Sequence, residues 1–274
     1  MIFSKYQALG NDYLVGTPDK NELLSAEDVR RLCHRHFGIG ADGILMGPTK
    51  LGNKCFGVSI YNADGSLAEI SGNGLTIFSK YLFDHHYIRL NEKFYLKPSE
   101  KCKSEAICCE ENGEVIVKIL LGKGYFLESF PWEVPEVLQK SFHLEQYLTL
   151  FKVNMGNPHC VVPVPLPTKE LAWALGALLE NHPQFPEKTN VQFVRWSTEK
   201  HQATIQIWER GSGYTLGSGS SSCAVACAFA HIFKEKTGAL TISMPGGNLK
   251  VNWEKQSFFF LNCAYKIADI KPFL

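Results

Sequence analysis

The sequence predicts an α+β fold built of two related halves, and three observations predict it. Strand-like alternation of apolar and polar residues recurs along the chain, whereas long helical patterns are few. One of those helical patterns is apolar on nearly every face, which marks a helix enclosed by the fold. A Gly-rich strand–turn–helix junction occurs twice, about half the chain apart.

In chain order, Ala26 to Phe37 fits an amphipathic helix with Ser25 as its N-cap. Strands are predicted at VSIYNA near 58, EVIVKILL near 114, ATIQIWE near 203, LTISMP near 240 and SFFFLNCAYKI near 257. A helix runs from about Gly74 through Leu75, Ile77, Phe78, Tyr81 and Leu82 to the His85–His86 region. Its counterpart runs from Ser220 through Cys223, Ala226, Phe229 and Ile232 to Phe233. The first follows YNADGSLAEISGNG and the second WERGSGYTLGSGSS, so each starts after a Ser-Gly step, Ser71-Gly72 and Ser218-Gly219. Asn62 precedes Ser71 by nine residues, and Glu209 precedes Ser218 by nine. Two junctions with one offset argue for a duplicated device. The polar EENGE segment places the boundary between the halves at 110–118, giving domains of 1–114 plus 262–274 and of 115–261. HPQFPEKTN has the character of an ordered loop.

Composition narrows the function. The 274 residues are 45% hydrophobic and 20% charged, ample for two cores. Lys+Arg number 28 and Asp+Glu 27, a formal net charge of +1, so no basic face invites nucleic acid. The nine cysteines have no metal or redox spacing; Cys108-Cys109 are adjacent, and His34 and His36 would point to different faces of a helix. No metal is expected. The N-terminus MIFSKYQALGNDYLV lacks signal-peptide character, and no apolar run reaches membrane-spanning length; a cytoplasmic protein without membrane partners is expected.

The two helix starts carry the chemistry. A first helical turn presents backbone N–H groups without intrahelical acceptors and the positive end of the dipole. Gly72-Asn73 and Gly219-Ser220 therefore read as two anion cradles. Together they fit one carboxylate, and the extra charge that forms when its α-proton leaves. Taken singly, each is more often just a turn. Without an electron sink, such chemistry needs an acid and a base on opposite faces of the α-carbon, and residues 71 and 218 stand where that pair belongs.

The chain resembles diaminopimelate epimerase over nearly its whole length, through KYQALGNDYLV, HRHFGIGADGIL, YNADGSLAEISGNG, NMGNPHCVV, HPQFPEKTNVQFV and ERGSGYTLGSGSS in that order. The resemblance implies two pseudo-symmetric domains, each a mostly antiparallel sheet or barrel wrapped around a central helix, with substrate in the cleft between. It implies cofactor-independent conversion of LL-2,6-diaminopimelate to the meso form, with a small-molecule amino acid as partner, and is compatible with a homodimer. It further implies that Gly72, Asn73, Gly219 and Ser220 bind the reacting carboxylate, and that Asn11 and Glu209 lie beside the amino group. Asn62, Asn157, Asn190 and Arg210 would hold the distal end, Arg210 by a charge-assisted contact. His159 would stand behind one catalytic residue and assist proton transfer.

The sequence departs from the family where it matters most, because the family has cysteine at positions 71 and 218. A serine hydroxyl is a far weaker acid than a thiol and works as a base only when another group takes its proton. Cys160 and Cys223 do not replace it. Thr76, Ile77 and Ser221 depart as well, which favours divergence over an isolated double replacement. Two other readings stay open: a racemase of a smaller acidic amino acid such as glutamate, and an amino-acid-binding relative without activity.

Overall fold

The computed structural model describes residues 1–17, 24–68, 70–100 and 102–272. The chain forms two compact units, Met1–Leu120 with Leu261–Leu274, and Leu121–Phe260. In order the elements are β1 (Phe3–Ala8), β2 (Asn11–Gly16), α1 (Ala26–Cys33), β3 (Gly43–Gly52), β4 (Cys55–Asn62), β5 (Leu67–Ala68), α2 (Gly72–Asp84), β6 (Lys93–Ser99), β7 (Cys102–Glu111) and β8 (Glu114–Lys123). There follow β9 (Tyr125–Glu133), α3 (Glu136–Phe142), β10 (Tyr147–Asn154), β11 (Pro158–Pro163), α4 (Lys169–Glu180), β12 (Asn190–Ser197), β13 (Gln202–Glu209) and β14 (Gly213–Thr215). The chain ends with α5 (Gly219–Ile232), β15 (Thr237–Met244), β16 (Gly247–Glu254), β17 (Ser257–Cys263) and β18 (Tyr265–Ile270).

Strand pairing makes the internal repeat explicit. In the first unit β1–β2 is antiparallel, β2–β3 parallel, β3–β4 and β4–β5 antiparallel, β4–β6 parallel and β6–β7 antiparallel. In the second, β10–β11, β11–β12, β12–β13, β13–β14, β13–β15 and β15–β16 follow the same succession. Helices α1 and α4 occupy the equivalent parallel crossovers, and α2 and α5 the equivalent central positions. Each unit is thus a mixed, mostly antiparallel sheet around one helix.

Both central helices are enclosed. Helix α2 packs on β1, β2, β3 and β7, and its residues 73–79 are all buried. Helix α5 is touched by β9, β10, β11, β12, β15 and β16, and residues 221–230 are buried throughout. Three of the buried polar side chains in these helices bond back one turn: Thr76 and Ser79 donate to the carbonyls of Gly72 and Leu75, and Ser222 to that of Ser218. Beside α1, Phe3, Leu14, Val29, Leu32, Ile44 and Met46 form a core of the first unit. In the second unit Leu150, Val162, Leu171, Leu175, Leu179, Val191 and Phe193 form another beneath α4.

Three expectations change in detail. Helix α1 starts on Ser25 with a reciprocal capping box, but it stops at Cys33, not Phe37. The imidazole Nδ1 of His34 accepts from the N–H groups of His36 and Phe37, the Gly38 N–H donates to the His34 carbonyl, and those of Ile39 and Gly40 turn back onto the helical carbonyl of Leu32. His34 and His36 therefore lie beyond the helix, not on two of its faces. SFFFLNCAYKI is two strands, β17 and β18, separated at Ala264. EENGE is a turn as expected, that of the β7–β8 hairpin with positive φ at Asn112 and Gly113, but the units divide after it, between Leu120 and Leu121; Glu69 of the first junction lies outside the described residues. No helix among the described residues is long and apolar enough to cross a membrane.

Candidate active site

In the first unit, Ser71 is the N-cap of α2: its backbone is extended, and its Oγ accepts the N–H of Gly74 at 3.0 Å. Gly72 and Asn73 form the first turn, where N–H groups have no acceptor inside the helix. The Asn73 side chain is buried, and its Oδ1 accepts from Asn262 at 3.4 Å. A second donor reaches Ser71, the hydroxyl of Tyr13 at 3.2 Å. Asn11 begins β2 and donates its amide to Asp42 at 2.8 Å. Asp42 also accepts the N–H of Asp12 and pairs with Arg35, which in turn holds Asp12. Burial alone would raise the Asp12 carboxyl, yet Arg35 and Lys5 hold it below the usual carboxylate range. Asn62 ends β4 in a turn, its amide donating to Ser66 Oγ at 3.0 Å.

The second unit repeats the helix start. Ser218 is the N-cap of α5, and Gly219 and Ser220 make its first turn. Ser218 is buried; its Oγ receives the Ser221 N–H at 3.5 Å and lies 3.4 Å from Ser220 Oγ. Glycine at 219 answers a packing demand as well, since a Cβ there would meet the Phe260 ring at 2.9 Å. Glu209 ends β13 and is half-buried. Burial raises the Glu209 carboxyl, and the Ser218 hydroxyl offsets part of that rise.

His159 on β11 is fully buried, and burial beside the charge of Arg210 pushes its imidazole down to about 3. The neutral ring is held at both nitrogens, Nε2 lying 2.9 Å from Asn157 Oδ1 and Nδ1 3.1 Å from Gln192 Nε2. Gln192 Nε2 also donates to Ser221 Oγ at 3.0 Å, and the Gln192 Oε1 has no partner. A path of contacts thus joins Asn157, His159, Gln192, Ser221 and Ser218. Asn190 spends its amide on backbone, donating to Pro158 and accepting the N–H of Arg210. Arg210 is exposed, with Nη1 on the Glu187 carbonyl at 3.1 Å.

The residues expected from the sequence divide between the two units: Asn11, Asn62, Ser71, Gly72 and Asn73 in one, and Asn157, His159, Asn190, Glu209, Arg210, Ser218, Gly219 and Ser220 in the other. Sequence reasoning missed Tyr13, Asp42, Gln192 and the bonding role of Ser221. A signal existed for two of them, because residues two apart on a strand share a face: Tyr13 follows Asn11 on β2, and Gln192 follows Asn190 on β12. Cys160 and Cys223 are buried, and burial pushes both thiols up, so neither offers a thiolate. No cluster of potential metal ligands occurs among the described residues.

A family model described as diaminopimelate epimerase matches residues 3–125 and 151–259. Diaminopimelate epimerase 2 of Nostoc sp. is 41% identical over 260 residues, covering 92% of this chain and 88% of that protein. The diaminopimelate epimerase of Leptospira biflexa is 33% identical over 277 residues, covering 94% of each. Among solved structures, a Bacillus anthracis phenazine biosynthesis protein of the PhzF family superposes with a TM-score of 0.73 at 14% identity, covering 100% of this chain and 99% of that one. A probable proline racemase from Agrobacterium radiobacter gives 0.72 at 12% identity, covering 100% and 93%. At such identities the structural likeness speaks for the fold alone.

Proposed function

The chain belongs to the diaminopimelate epimerase family, and from that premise we propose that it converts LL-2,6-diaminopimelate to the meso form without a cofactor, using Ser71 and Ser218 for proton transfer. The observation that carries this reading is the repeated helix start, a serine N-cap followed by glycine at Gly72 and Gly219. First-turn N–H groups and the positive helix ends favour the reacting carboxylate most when the α-proton has left, so they stabilise the transition state more than the substrate. Gly72, Asn73, Gly219 and Ser220 make those contacts.

Ser218 removes the α-proton while its own hydroxyl proton passes to Glu209. A carboxyl raised by burial is a stronger base than an exposed one, which suits it to that task. Ser71 supplies the proton to the opposite face. His159 stays neutral at physiological pH; it acts as a fixed hydrogen-bonding ring that orients Asn157, not as an acid. Arg210, Asn62 and Asn157 hold the distal amino-carboxylate end, and Asn190 sets the Arg210 backbone. The enzyme acts as a cytoplasmic homodimer on a free amino acid, without nucleic acid.

Deuterium incorporation from heavy water tests the reading. LL-diaminopimelate should gain α-deuterium as the meso form appears, and glutamate should not. Absence of α-deuterium in diaminopimelate sinks the assignment, and faster exchange into glutamate transfers it to the smaller acidic amino acid.

A further inference from the structure

We propose that Tyr13 is the proton partner of Ser71: its phenol resupplies the serine as Ser71 protonates the α-carbon, and its phenolate takes the proton back in the reverse direction. Tyr13 acts through Ser71 and does not itself touch substrate. The inference rests on the epimerase reading above and extends it to a residue that reading leaves unused.

Geometry points to this pair. The Tyr13 hydroxyl lies 3.2 Å from Ser71 Oγ, at the long end for an O–H···O contact, in a side chain only 5% exposed. Gly43 makes room for the ring, since a Cβ there would lie 2.6 Å from Tyr13 Cε1. Tyr13 is paired with that same Gly43 across the parallel β2–β3 ladder. A hydroxyl has two acceptor sites and one proton to give. Ser71 Oγ receives both the Tyr13 O–H and the Gly74 N–H, so its remaining capacity is donation. That is the polarity a proton donor needs.

The repeat supplies an independent argument. Tyr13 pairs with Gly43, the first residue of β3, and Gly43 pairs with Asn62 at the end of β4. In the other unit His159 pairs with Asn190, the first residue of β12, and the β12–β13 register continued by one step brings Asn190 opposite Glu209. Tyr13 is therefore the topological equivalent of His159. In each unit the equivalent strand residue bonds towards the first turn of the central helix, Tyr13 directly to Ser71 and His159 through Gln192 to Ser221.

Chemically, a serine that loses its proton alone becomes an alkoxide, scarcely available at neutral pH. A phenol, with an ordinary value of about 10, is a far better acid. When the Ser71 O–H bond breaks and the new C–H bond forms, the Tyr13 O–H bond breaks and Ser71 regains its proton. The negative charge ends on the phenolate, and nothing is oxidised or reduced.

The test compares α-proton exchange into diaminopimelate for the wild type, Tyr13→Phe, Ser71→Cys and the double variant, with thermal unfolding as a check on folding. Phenylalanine keeps the ring in its slot and removes only the hydroxyl. In the serine background, Tyr13→Phe should slow exchange by about 10²–10⁴-fold, the usual worth of a positioned acid or base, with substrate affinity changed far less. In the Ser71→Cys background the loss should shrink below about tenfold, because a thiol has its own accessible thiolate. Equal losses in both backgrounds would assign Tyr13 a purely structural role and overturn the proposal. A silent wild type beside an active Ser71→Cys would overturn it too, while leaving the epimerase reading intact. Silence in all four chains would remove that reading and the relay together.

Discussion

The buried imidazole of His159 makes stability depend on pH in a way that can be isolated. In the native protein this ring takes up no proton until about pH 3, whereas in the unfolded chain it titrates at the ordinary value of 6.5. Between those values the unfolded chain binds more protons, so stability is complete above 6.5 and falls as pH falls towards 3. Lowering the pH from about 7.5 to about 5 crosses roughly 1.5 units of that window, and at about 1.4 kcal/mol per unit the loss is about 2 kcal/mol. The perturbation is the pH change applied to the wild type and to His159→Gln, which has no proton to bind at this position. His85 and His182 are also pushed down by burial, but they are common to both proteins and cancel in the difference. Urea unfolding at the two pH values gives the stabilities, and the imidazole resonance of His159 followed by NMR gives the titration directly. The variant should be less stable at pH 7.5, having lost the bonds to Asn157 and Gln192, yet less sensitive to acid. Equal pH dependence in the two proteins, or an imidazole titrating above pH 5, would refute the reasoning.

Other consequences follow from the same environments. Cys33, Cys108, Cys160, Cys223 and Cys227 are buried with their thiols pushed up, so native alkylation followed by mass spectrometry should stop at the four partly exposed thiols, Cys55, Cys102, Cys109 and Cys263; rapid modification of Cys160 or Cys223 would contradict it. Arg210→Ala removes an exposed charged donor and should weaken diaminopimelate binding by about 2 kcal/mol, read by calorimetry, with little change in unfolding. Asp42→Ala frees the Asn11 amide and leaves the Asp12 N–H without its acceptor. It should lower stability by about 1 kcal/mol and weaken substrate binding as well, and unchanged binding would show that Asn11 needs no anchor. The Arg35–Asp42 pair adds little to that figure because Arg35 is 54% exposed.

What the sequence disclosed was what depends on neighbours along the chain. The central helices were legible because a Ser-Gly start and an all-round apolar pattern are local features, and both serines prove to be N-caps. Helix α4 escaped notice although Thr168 caps it, because Trp173 and Leu178 project apolar surface outward and blur the amphipathic stripe. The end of α1 was misplaced because a side chain, His34, and not a glycine alone, turns the chain. At the site, the sequence offers only residues that stand within a motif, and partners brought in by strand pairing escape it. Tyr13 reaches Ser71 across 58 positions, and Gln192 reaches His159 across 33. Such partners depend on register between strands, which no local pattern records.

The N-cap geometry sets a trade between stability and reactivity at the two serines. Serine is among the strongest N-caps, whereas sulfur is a weak hydrogen-bond acceptor. The Ser71 cap is well formed at 3.0 Å, and the Ser218 cap is stretched to 3.5 Å. Ser71→Cys should therefore cost about 1 kcal/mol of stability. Ser218→Cys should cost only a few tenths, the scale of a cap that contributes little. Reactivity should move the other way. A thiol with an ordinary value of about 8.5, lowered further by the helix end, is populated as thiolate where a hydroxyl is not, so the double variant should exchange the α-proton faster by orders of magnitude. Urea midpoints and deuterium incorporation, measured on the two single variants and the double, decide both halves. If Ser218→Cys proved the more destabilising, the cap distances would not be what governs these positions. If the double variant exchanged no faster, positions 71 and 218 would not be the acid and base, and the proton-transfer groups would have to be sought among Tyr13, Glu209 and their neighbours.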